Sequence, residues 1–347
     1  MFIEGIHIPL TAPFYLDQRS YLRKLEHNVH RYSLTPASAL VAFAPGSEGD
    51  ALSDSEIAEA LLSIVESAAK EKVLVAGLPR TSVRSALSIA TQAEAAGFDA
   101  VFAAAPLHVA SLKPEERLVW FRAIADESPL PVLLYSDGMG IGATLSVSEA
   151  GALAQHPNII GMYDAALTPD RFTAIAAATK QIRREVTVTT IFAPVTRRML
   201  TVEPVTTNLV TIGEVGGTAV AIAPVAPAIK TRTKVVGFQV IAAGRTTGAV
   251  ELLLAGAPGL MPALAASAPQ GCHEVFAAFK DGDPKLAELK AARLAAADDV
   301  AAVLGIAAVK YGCDLNGYYG GPPRLPRLPL TALDKGLVER ALGSVRN

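Results

Sequence analysis

Side chains that could transfer protons stand near the ends of short apolar runs in this sequence. Tyr135 ends one such run, His108 follows a second by two residues, and Tyr163 lies next to the end of a third. A tyrosine hydroxyl can relay protons to a bound substrate, and histidine is the side chain that titrates closest to neutral pH. These three residues are therefore the candidate catalytic groups.

Each candidate also has an explanation without catalysis, and the residue types leave both explanations open. Tyr135 could serve packing and a single hydrogen bond. Tyr163 is better explained as a space-filling side chain than as a catalyst, because a tyrosine with its ordinary pKa of about 10 needs strong activation near neutral pH. An isolated histidine such as His108 is more often structural than catalytic.

Acidic residues also lie at or after the ends of two apolar runs, and they raise the question of a metal ion. Glu48, Asp50 and Asp164 could join His108 around such an ion, since carboxylate and imidazole are common metal ligands. Their spacing follows no known ligand pattern. We therefore predict no metal site.

The elements that must position these residues alternate between strand and helix. Eight β/α units occupy about 280 residues, which is the number of units in a (β/α)8 barrel. No G-x-G-x-x-G motif follows the first strand, which argues against a dinucleotide-binding sheet. The predicted fold is an α/β TIM barrel, with its chemistry at the carboxyl ends of the strands. The predicted strands cover residues 5–14, 38–44, 72–78, 100–106, 131–136, 158–164, 237–244 and 259–265.

Helix-capping patterns separate these strands. Ser53 with Glu56, and Ser146 with Glu149, have the spacing of a capping box at a helix start. Gly97 stands where a helix would end in the left-handed conformation. These signals place the second, third and fifth helices of the barrel.

The alternation stops between residues 185 and 236, where the chain is rich in threonine and valine. These residue types favour strands, so we predict a β-rich insertion of two or three hairpins before strand seven. The predicted division is a barrel at 1–282, including the insertion, and a C-terminal helical extension at 283–347. The insertion is expected to serve subunit contact or stability. Its basic residues are interpreted as a solvated surface: Arg197, Arg198, Lys230, Arg232 and Lys234.

Composition excludes several classes of function. The 347 residues carry 31 Lys and Arg against 33 Asp and Glu, so no basic footprint for nucleic acid is present. No uninterrupted apolar run reaches the length of a membrane span, and no signal peptide is evident. Cys272 and Cys313 have no metal or redox spacing. We expect a cytoplasmic protein whose 51% hydrophobic content fills a large core.

Five segments carry a resemblance to a known family. They are IPLTAPF (8–14), AGFDAVFAAAP (96–106), LPVLLY (130–135), HPNIIGMYD (156–164) and KYGCDLNGYYGGPPRLPRLPL (310–330). On these segments the chain resembles the dihydrodipicolinate synthase / N-acetylneuraminate lyase family of pyruvate-dependent class I aldolases. The resemblance implies a barrel with a helical extension, assembled as a homodimer or homotetramer. It also implies a Schiff base between a lysine and a small 2-oxo acid, without a cofactor.

The resemblance assigns roles to individual positions. Tyr135 matches the tyrosine that relays protons, and Tyr163 occupies the position of the Schiff-base lysine. A tyrosine cannot form an imine, so this substitution removes the nucleophile of the family. His108 matches a second tyrosine. After the second strand, an ungapped alignment retains Glu48 as a substrate contact, and a shifted alignment supplies the hydroxyl of Ser47. Gly244 and Met261 are the other residues expected to contact substrate.

Three functional hypotheses follow. The first is a family member that has lost Schiff-base aldolase activity and retains 2-oxo acid binding or a scaffold role. The second is an active lyase or hydratase that acts on a 2-oxo acid through Tyr135 and His108. The third is a Schiff-base aldolase with a relocated lysine, although Lys230 and Lys234 would lie near the opposite face of the barrel.

Overall fold

A computed structural model describes residues 1–106, 112–137, 144–200, 229–343 and 345. Its parallel strands close into a barrel of eight, in the order β1-β10-β9-β6-β5-β4-β3-β2, which confirms the predicted (β/α)8 fold. The strands are β1 (Gly5–Pro9), β2 (Ala39–Ala42), β3 (Val73–Gly77), β4 (Ala100–Ala104), β5 (Val132–Ser136), β6 (Ile159–Asp164), β7 (Arg184–Thr189), β8 (Thr231–Val236), β9 (Gln239–Gly244) and β10 (Gly259–Pro262).

Helices cover the outside of the barrel and form its C-terminal extension. They are α1 (Leu22–Ser33), α2 (Asp54–Ser67), α3 (Val83–Ala96), α4 (Pro114–Glu127), α5 (Val147–Ala154), α6 (Pro169–Ala178), α7 (Arg197–Leu200), α8 (Ala249–Ala255), α9 (Pro269–Lys280), α10 (Pro284–Leu304), α11 (Ile306–Leu315) and α12 (Ala332–Leu342). None of the helices in the described part of the chain is long and apolar enough to cross a membrane.

The barrel strands are buried on both faces, which explains the high apolar content of the sequence. One face packs against the helices, while the other fills the barrel interior with side chains such as Val41, Val75, Phe102, Leu133 and Ile241. Parallel strands enclosed in this way are apolar at nearly every position. The core is therefore a filled barrel, open to solvent only at its ends.

The helix caps are those that the sequence predicts. Capping boxes form between Ser53 and Glu56 at the start of α2, and between Ser146 and Glu149 at the start of α5. Gly97 ends α3 with φ +109°, a conformation that a residue with a Cβ rarely adopts.

Two predicted strands are too long. The first ends at Pro9, because the chain then leaves the sheet and the Ala12 amide donates to the carbonyl oxygen of Ser47. The last ends at Pro262 and continues as a 3-10 turn over Ala263–Ala266. Both differences lie at the carboxyl ends of strands, where chain direction is set by contacts with neighbouring loops.

The insertion begins and ends as predicted, with an antiparallel pair formed by β7 and β8. Residues 201–228 lie outside the described part of the chain. The short helix α7 between the two strands was not predicted. Phe2, Val186, Val188 and Val236 form a small apolar cluster beneath the barrel, so the hairpin packs near its amino-terminal end.

The prediction of a solvated surface holds for the side chain of Arg197, which is 46% exposed, and is wrong for Arg198, which is half-buried. Arg197 donates through its amide to Asp99, at 2.7 Å, and through its guanidinium to the carbonyl oxygen of Phe98. Arg198 donates to the carbonyl oxygens of Ala68 and Lys72. The two arginines donate hydrogen bonds to backbone oxygens that precede β3 and β4, and these bonds hold the insertion against the barrel.

The C-terminal extension folds back towards the carboxyl ends of the barrel strands. Helix α11 packs against the 3-10 turn that follows β10, and Lys310 reaches the carbonyl oxygen of Ala12 after β1. Asp298 of α10 accepts hydrogen bonds from Thr246 after β9. The extension therefore contacts loops at the end of the barrel where an active site is expected. Its separation from the barrel at residue 283 stays a prediction.

Candidate functional site

A cavity opens at the carboxyl ends of the barrel strands. Its volume is about 420 Å³, including the solvent space at its mouth. Four of the predicted site residues line it together: Ser47, Tyr135, Gly244 and Met261. They come from the ends of β2, β5, β9 and β10, so the closed barrel brings together residues that are far apart in sequence.

Ser47 lies in a tight turn after β2. Its hydroxyl donates to the carbonyl oxygen of Ala44 at 2.7 Å and retains the capacity to accept a hydrogen bond. Phe43 and Glu48 both have positive φ angles, of 57° and 68°. A Cβ at Gly49 would lie 2.5 Å from that of Phe43, so this turn requires glycine there. Strained non-glycine residues of this kind concentrate at functional sites.

Glu48 points away from the cavity and into a buried ion pair. Its carboxylate lies 2.6 Å from Nζ of Lys310, and both side chains are fully buried. The Arg324 amide donates to the other carboxylate oxygen at 2.7 Å. The structure therefore does not bring Glu48 to the cavity wall, where the sequence analysis expects it.

Lys310 was missed by the sequence analysis, although it begins the C-terminal motif that carries the resemblance. Its ammonium donates to Glu48 and to the carbonyl oxygens of Ala12 and Pro322, both at 2.8 Å. The ring of Phe14 lies beneath it, 4.5 Å from Nζ to centroid. Burial lowers the pKa of Lys310, and the Glu48 carboxylate opposes that lowering. Three acceptors occupy all three N–H donors.

The cavity has no lysine on its wall. All twelve lysines of the sequence fall within the described ranges, and none is among the residues that line the cavity. Lys230 and Lys234 belong to the insertion, and Nζ of Lys234 lies 3.9 Å from the ring centroid of Phe2, in the apolar cluster beneath the barrel.

Tyr135 presents a phenol at the cavity. The side chain is 6% exposed, and the structure gives its hydroxyl no hydrogen-bond partner among the described residues. Burial raises the pKa of Tyr135, and the charges of Asp137 and Asp164 raise it further. The hydroxyl is thus protonated at neutral pH and is suited to donate a hydrogen bond to a ligand oxygen.

Tyr163 lies deeper, in the barrel interior. It is fully buried and does not line the cavity. Its hydroxyl lies 2.8 Å from Nδ1 of His7, and its ring meets that of Phe102 edge to face. Burial raises the pKa of Tyr163 and lowers the pKa of His7 to about 3. Both groups are neutral at pH 7, and the Tyr163 side chain fills space in the barrel interior.

His7 is not among the residues predicted from the sequence. The sequence signal for His7 is that it is a single polar residue inside the apolar run of β1. Because successive side chains of a strand point to opposite faces, its position predicts that it faces the barrel interior. A histidine at such a position needs a hydrogen-bond partner from another inward-facing residue. Tyr163 of β6 supplies that partner.

Asp164 is also engaged within the protein. Its carboxylate pairs with Arg171 at 2.7 Å and accepts a hydrogen bond from the Ala166 amide. Arg171 in turn donates to the carbonyl oxygen of Leu145 at 2.6 Å. The described residues contain no cluster of three His, Cys, Asp or Glu that could hold a metal ion. His108 lies outside the described residues, so its predicted role stays a prediction.

Gly244 and Met261 complete the wall. Gly244 ends β9 with φ +98°, which only glycine adopts without strain. The loop that follows is held by Asp298 of α10, whose carboxylate accepts hydrogen bonds from the amide and the hydroxyl of Thr246. Met261 contributes an apolar surface from β10.

Thr11 adds a polar group that the sequence analysis did not single out. It lines the cavity, yet its hydroxyl oxygen is buried and forms no hydrogen bond within the described part of the chain. The thiol of Cys313 lies close enough for Thr11 to influence its pKa. That thiol donates to the carbonyl oxygen of Ala266 at 3.3 Å and is a weak acceptor. The contact of Thr11 with the sulfur of Cys313 is weak, so its hydroxyl has no strong hydrogen-bond partner among the described residues.

Comparison with known proteins agrees with this architecture. The 4-hydroxy-tetrahydrodipicolinate synthase of Acidiphilium cryptum is 26% identical over 342 residues, which cover 98% of this chain and 97% of that protein. The dihydrodipicolinate synthase structure from Bacillus anthracis superposes with a TM-score of 0.78 at 20% identity, covering 99% of both chains. A 4-hydroxy-tetrahydrodipicolinate synthase structure from Methylacidiphilum fumariolicum superposes with a TM-score of 0.76 at 19% identity. The superposition covers 99% of this chain and 96% of that chain.

A family model matches more than half of the sequence. The model for the dihydrodipicolinate synthetase family covers residues 3–190, which include the first six barrel strands and the positions of Ser47, Tyr135 and Tyr163. The chain therefore belongs to the dihydrodipicolinate synthetase family.

Proposed function

We propose that the cavity binds a small 2-oxo acid reversibly and that the protein has lost Schiff-base aldolase activity. The observation that carries this proposal is the absence of lysine from the cavity wall, although every lysine of the sequence is described. Imine formation requires an unprotonated amine next to the carbonyl carbon. Lys310, which adjoins the cavity residue Val309, is held by three acceptors.

The hydroxyl groups of the wall support binding of an oxygen-rich ligand. Tyr135 offers a donor, and Ser47 offers a hydroxyl oxygen that can accept. Thr11 contributes a third hydroxyl without a partner among the described residues. Such groups are suited to the keto and carboxylate oxygens of a 2-oxo acid.

Covalent trapping tests the loss of Schiff-base chemistry. The protein is incubated with pyruvate and related 2-oxo acids, reduced with borohydride, and weighed intact by mass spectrometry. We expect no adduct. An adduct that maps to any lysine would overturn the proposal.

A thermal-shift series tests reversible binding. We expect a 2-oxo acid to raise the unfolding temperature of the wild-type protein. We expect Tyr135→Phe to reduce the affinity for that acid about two- to tenfold, which corresponds to the loss of one hydrogen bond. Tyr15→Phe, at a residue 37% exposed on the surface, is the matched control and should bind as the wild type does. Failure of every 2-oxo acid to stabilise the protein would instead favour a scaffold role.

A second candidate is enolisation or hydration of the bound acid. The protonated Tyr135 hydroxyl at the cavity favours it, because an acid can donate a proton to the keto oxygen while a base removes one from C3. The described lining residues include no such base. His108 is the residue that we propose as the base. Exchange of the C3 protons in D₂O, followed by NMR, would support this activity if Tyr135→Phe and His108→Ala both abolished it.

A further inference from the structure

The apolar residues of the cavity wall indicate which class of 2-oxo acid the cavity binds. We propose that the cavity selects 2-oxo monocarboxylic acids with a short aliphatic side chain, and that Ile306 and Val309 of the C-terminal extension determine this specificity. The inference rests on the proposed function. Both residues line the cavity beside Met261 and Ala263, and none of the described lining residues carries a charged or amide side chain.

The topology places Tyr135 opposite the residues of the extension that line the cavity. In the closed barrel β5 lies four strands from β1 in either direction, so Tyr135 enters from the side opposite β1. Helix α11 packs on the 3-10 turn after β10, and β10 adjoins β1. A ligand whose keto oxygen meets Tyr135 therefore extends its other end towards Met261, Ile306 and Val309.

In the described part of the chain, no charged side chain on the cavity wall could pair with a second carboxylate. The Lys310 ammonium is paired with Glu48, and the Arg171 guanidinium is paired with Asp164. Neither cation is among the residues that line the cavity. A dicarboxylic acid would thus bury a second negative charge with no cationic partner among the described lining residues, which is strongly unfavourable.

This arrangement predicts an order of affinities. Each methylene group that is buried against an apolar wall tightens binding about fourfold. We expect 2-oxobutyrate to bind about fourfold tighter than pyruvate. We expect 2-oxoglutarate and oxaloacetate to bind more weakly than pyruvate.

A matched pair of variants tests the role of the extension. Val309→Thr keeps the shape of the side chain and replaces one methyl group with a hydroxyl on the cavity wall. Val303→Thr makes the same change on α10, at a residue 83% exposed. We expect Val309→Thr to abolish the fourfold preference for 2-oxobutyrate over pyruvate, and Val303→Thr to retain it. Ile306→Thr replaces Val309→Thr if the latter fails to fold.

Isothermal titration of the full chain with the four acids distinguishes the outcomes. Tightest binding of a dicarboxylic acid would overturn the inference and leave the proposed function standing. The inference would also be overturned by an unchanged preference in Val309→Thr, or in Ile306→Thr where that variant is used. Binding of none of the acids by the wild-type protein would overturn the proposed function and the inference together.

Discussion

The hydroxyl of Tyr163 lies 2.8 Å from Nδ1 of His7, across the interior of the barrel. The two residues come from β6 and β1, which are three strands apart in the barrel order, and both are almost completely buried. Each satisfies a polar atom that would otherwise have no partner in an apolar core. The position that the resemblance assigns to the family's nucleophile is therefore used here for packing.

Replacement of Tyr163 by phenylalanine should destabilise the protein. The change keeps the ring and its edge contact with Phe102, but it leaves Nδ1 of His7 buried without a partner. We expect the free energy of unfolding in urea to fall by about 1–3 kcal/mol. The double variant His7→Leu with Tyr163→Phe should lose less than the sum of the two single losses, since the pair is removed together. Additive losses would contradict a direct interaction.

His7 should make the stability of the protein depend on pH below neutrality. Burial lowers the pKa of His7 to about 3, against 6.5 for an unperturbed histidine. Because the folded state holds the neutral form, its stability is complete above pH 6.5 and declines as the pH falls from 6.5 towards 3. Linkage with these two values gives a loss of about 2.5 kcal/mol in unfolding free energy between pH 7.5 and pH 4.5.

Urea unfolding at the two pH values measures this loss, and His7→Leu supplies the control. The variant cannot protonate at position 7, so its stability should change less over the same interval. The difference between the two proteins isolates the contribution of His7 from that of the carboxylates. Equal changes in both proteins would show that His7 does not titrate in this range.

The sequence was sufficient to predict the barrel because its signals are local. Alternating apolar runs, capping boxes such as that of Ser53 and Glu56, and the left-handed Gly97 all act within a few residues. The order of strands then follows from the handedness of parallel connections. For the same reason Ser47 and Tyr135, each at a strand end, could be placed at one cavity.

The contacts that the sequence could not predict join distant parts of the chain. Glu48 and Lys310 are 262 residues apart, and nothing in the spacing near Glu48 indicates that its carboxylate turns away from the cavity. The buried Asp99 carboxylate likewise accepts a hydrogen bond from the backbone amide of Arg197, which the insertion brings beneath the barrel. Charged side chains are solvated by default, and their burial depends on partners that only the fold brings together.

Removal of the Lys310 charge should destabilise the protein strongly. Lys310→Met leaves the Glu48 carboxylate fully buried with only the Arg324 amide as a partner. Loss of one member of a buried ion pair costs about 3–5 kcal/mol, whereas removal of both members is often nearly neutral. We expect Lys310→Met to lower the unfolding free energy by that amount, and the double variant with Glu48→Gln to recover part of it.

A surface ion pair provides the control for this experiment. Arg19 and Asp17 lie 2.8 Å apart, but their side chains are 76% and 54% exposed. Arg19→Met should therefore change the unfolding free energy by less than about 1 kcal/mol. A Lys310→Met variant as stable as Arg19→Met would contradict the buried network described for Glu48.

Thr11→Val should stabilise the protein without ligand. The Thr11 hydroxyl is buried and has no hydrogen-bond partner among the described residues, and a valine has nearly the same shape. Removal of an unsatisfied buried polar group should raise the unfolding free energy by about 1 kcal/mol. Thr179→Val is the matched control, since the Thr179 hydroxyl is equally buried but donates to the carbonyl oxygen of Ile175 at 2.8 Å. That variant should lose stability, and a loss in Thr11→Val as well would show that the Thr11 hydroxyl has a structural partner.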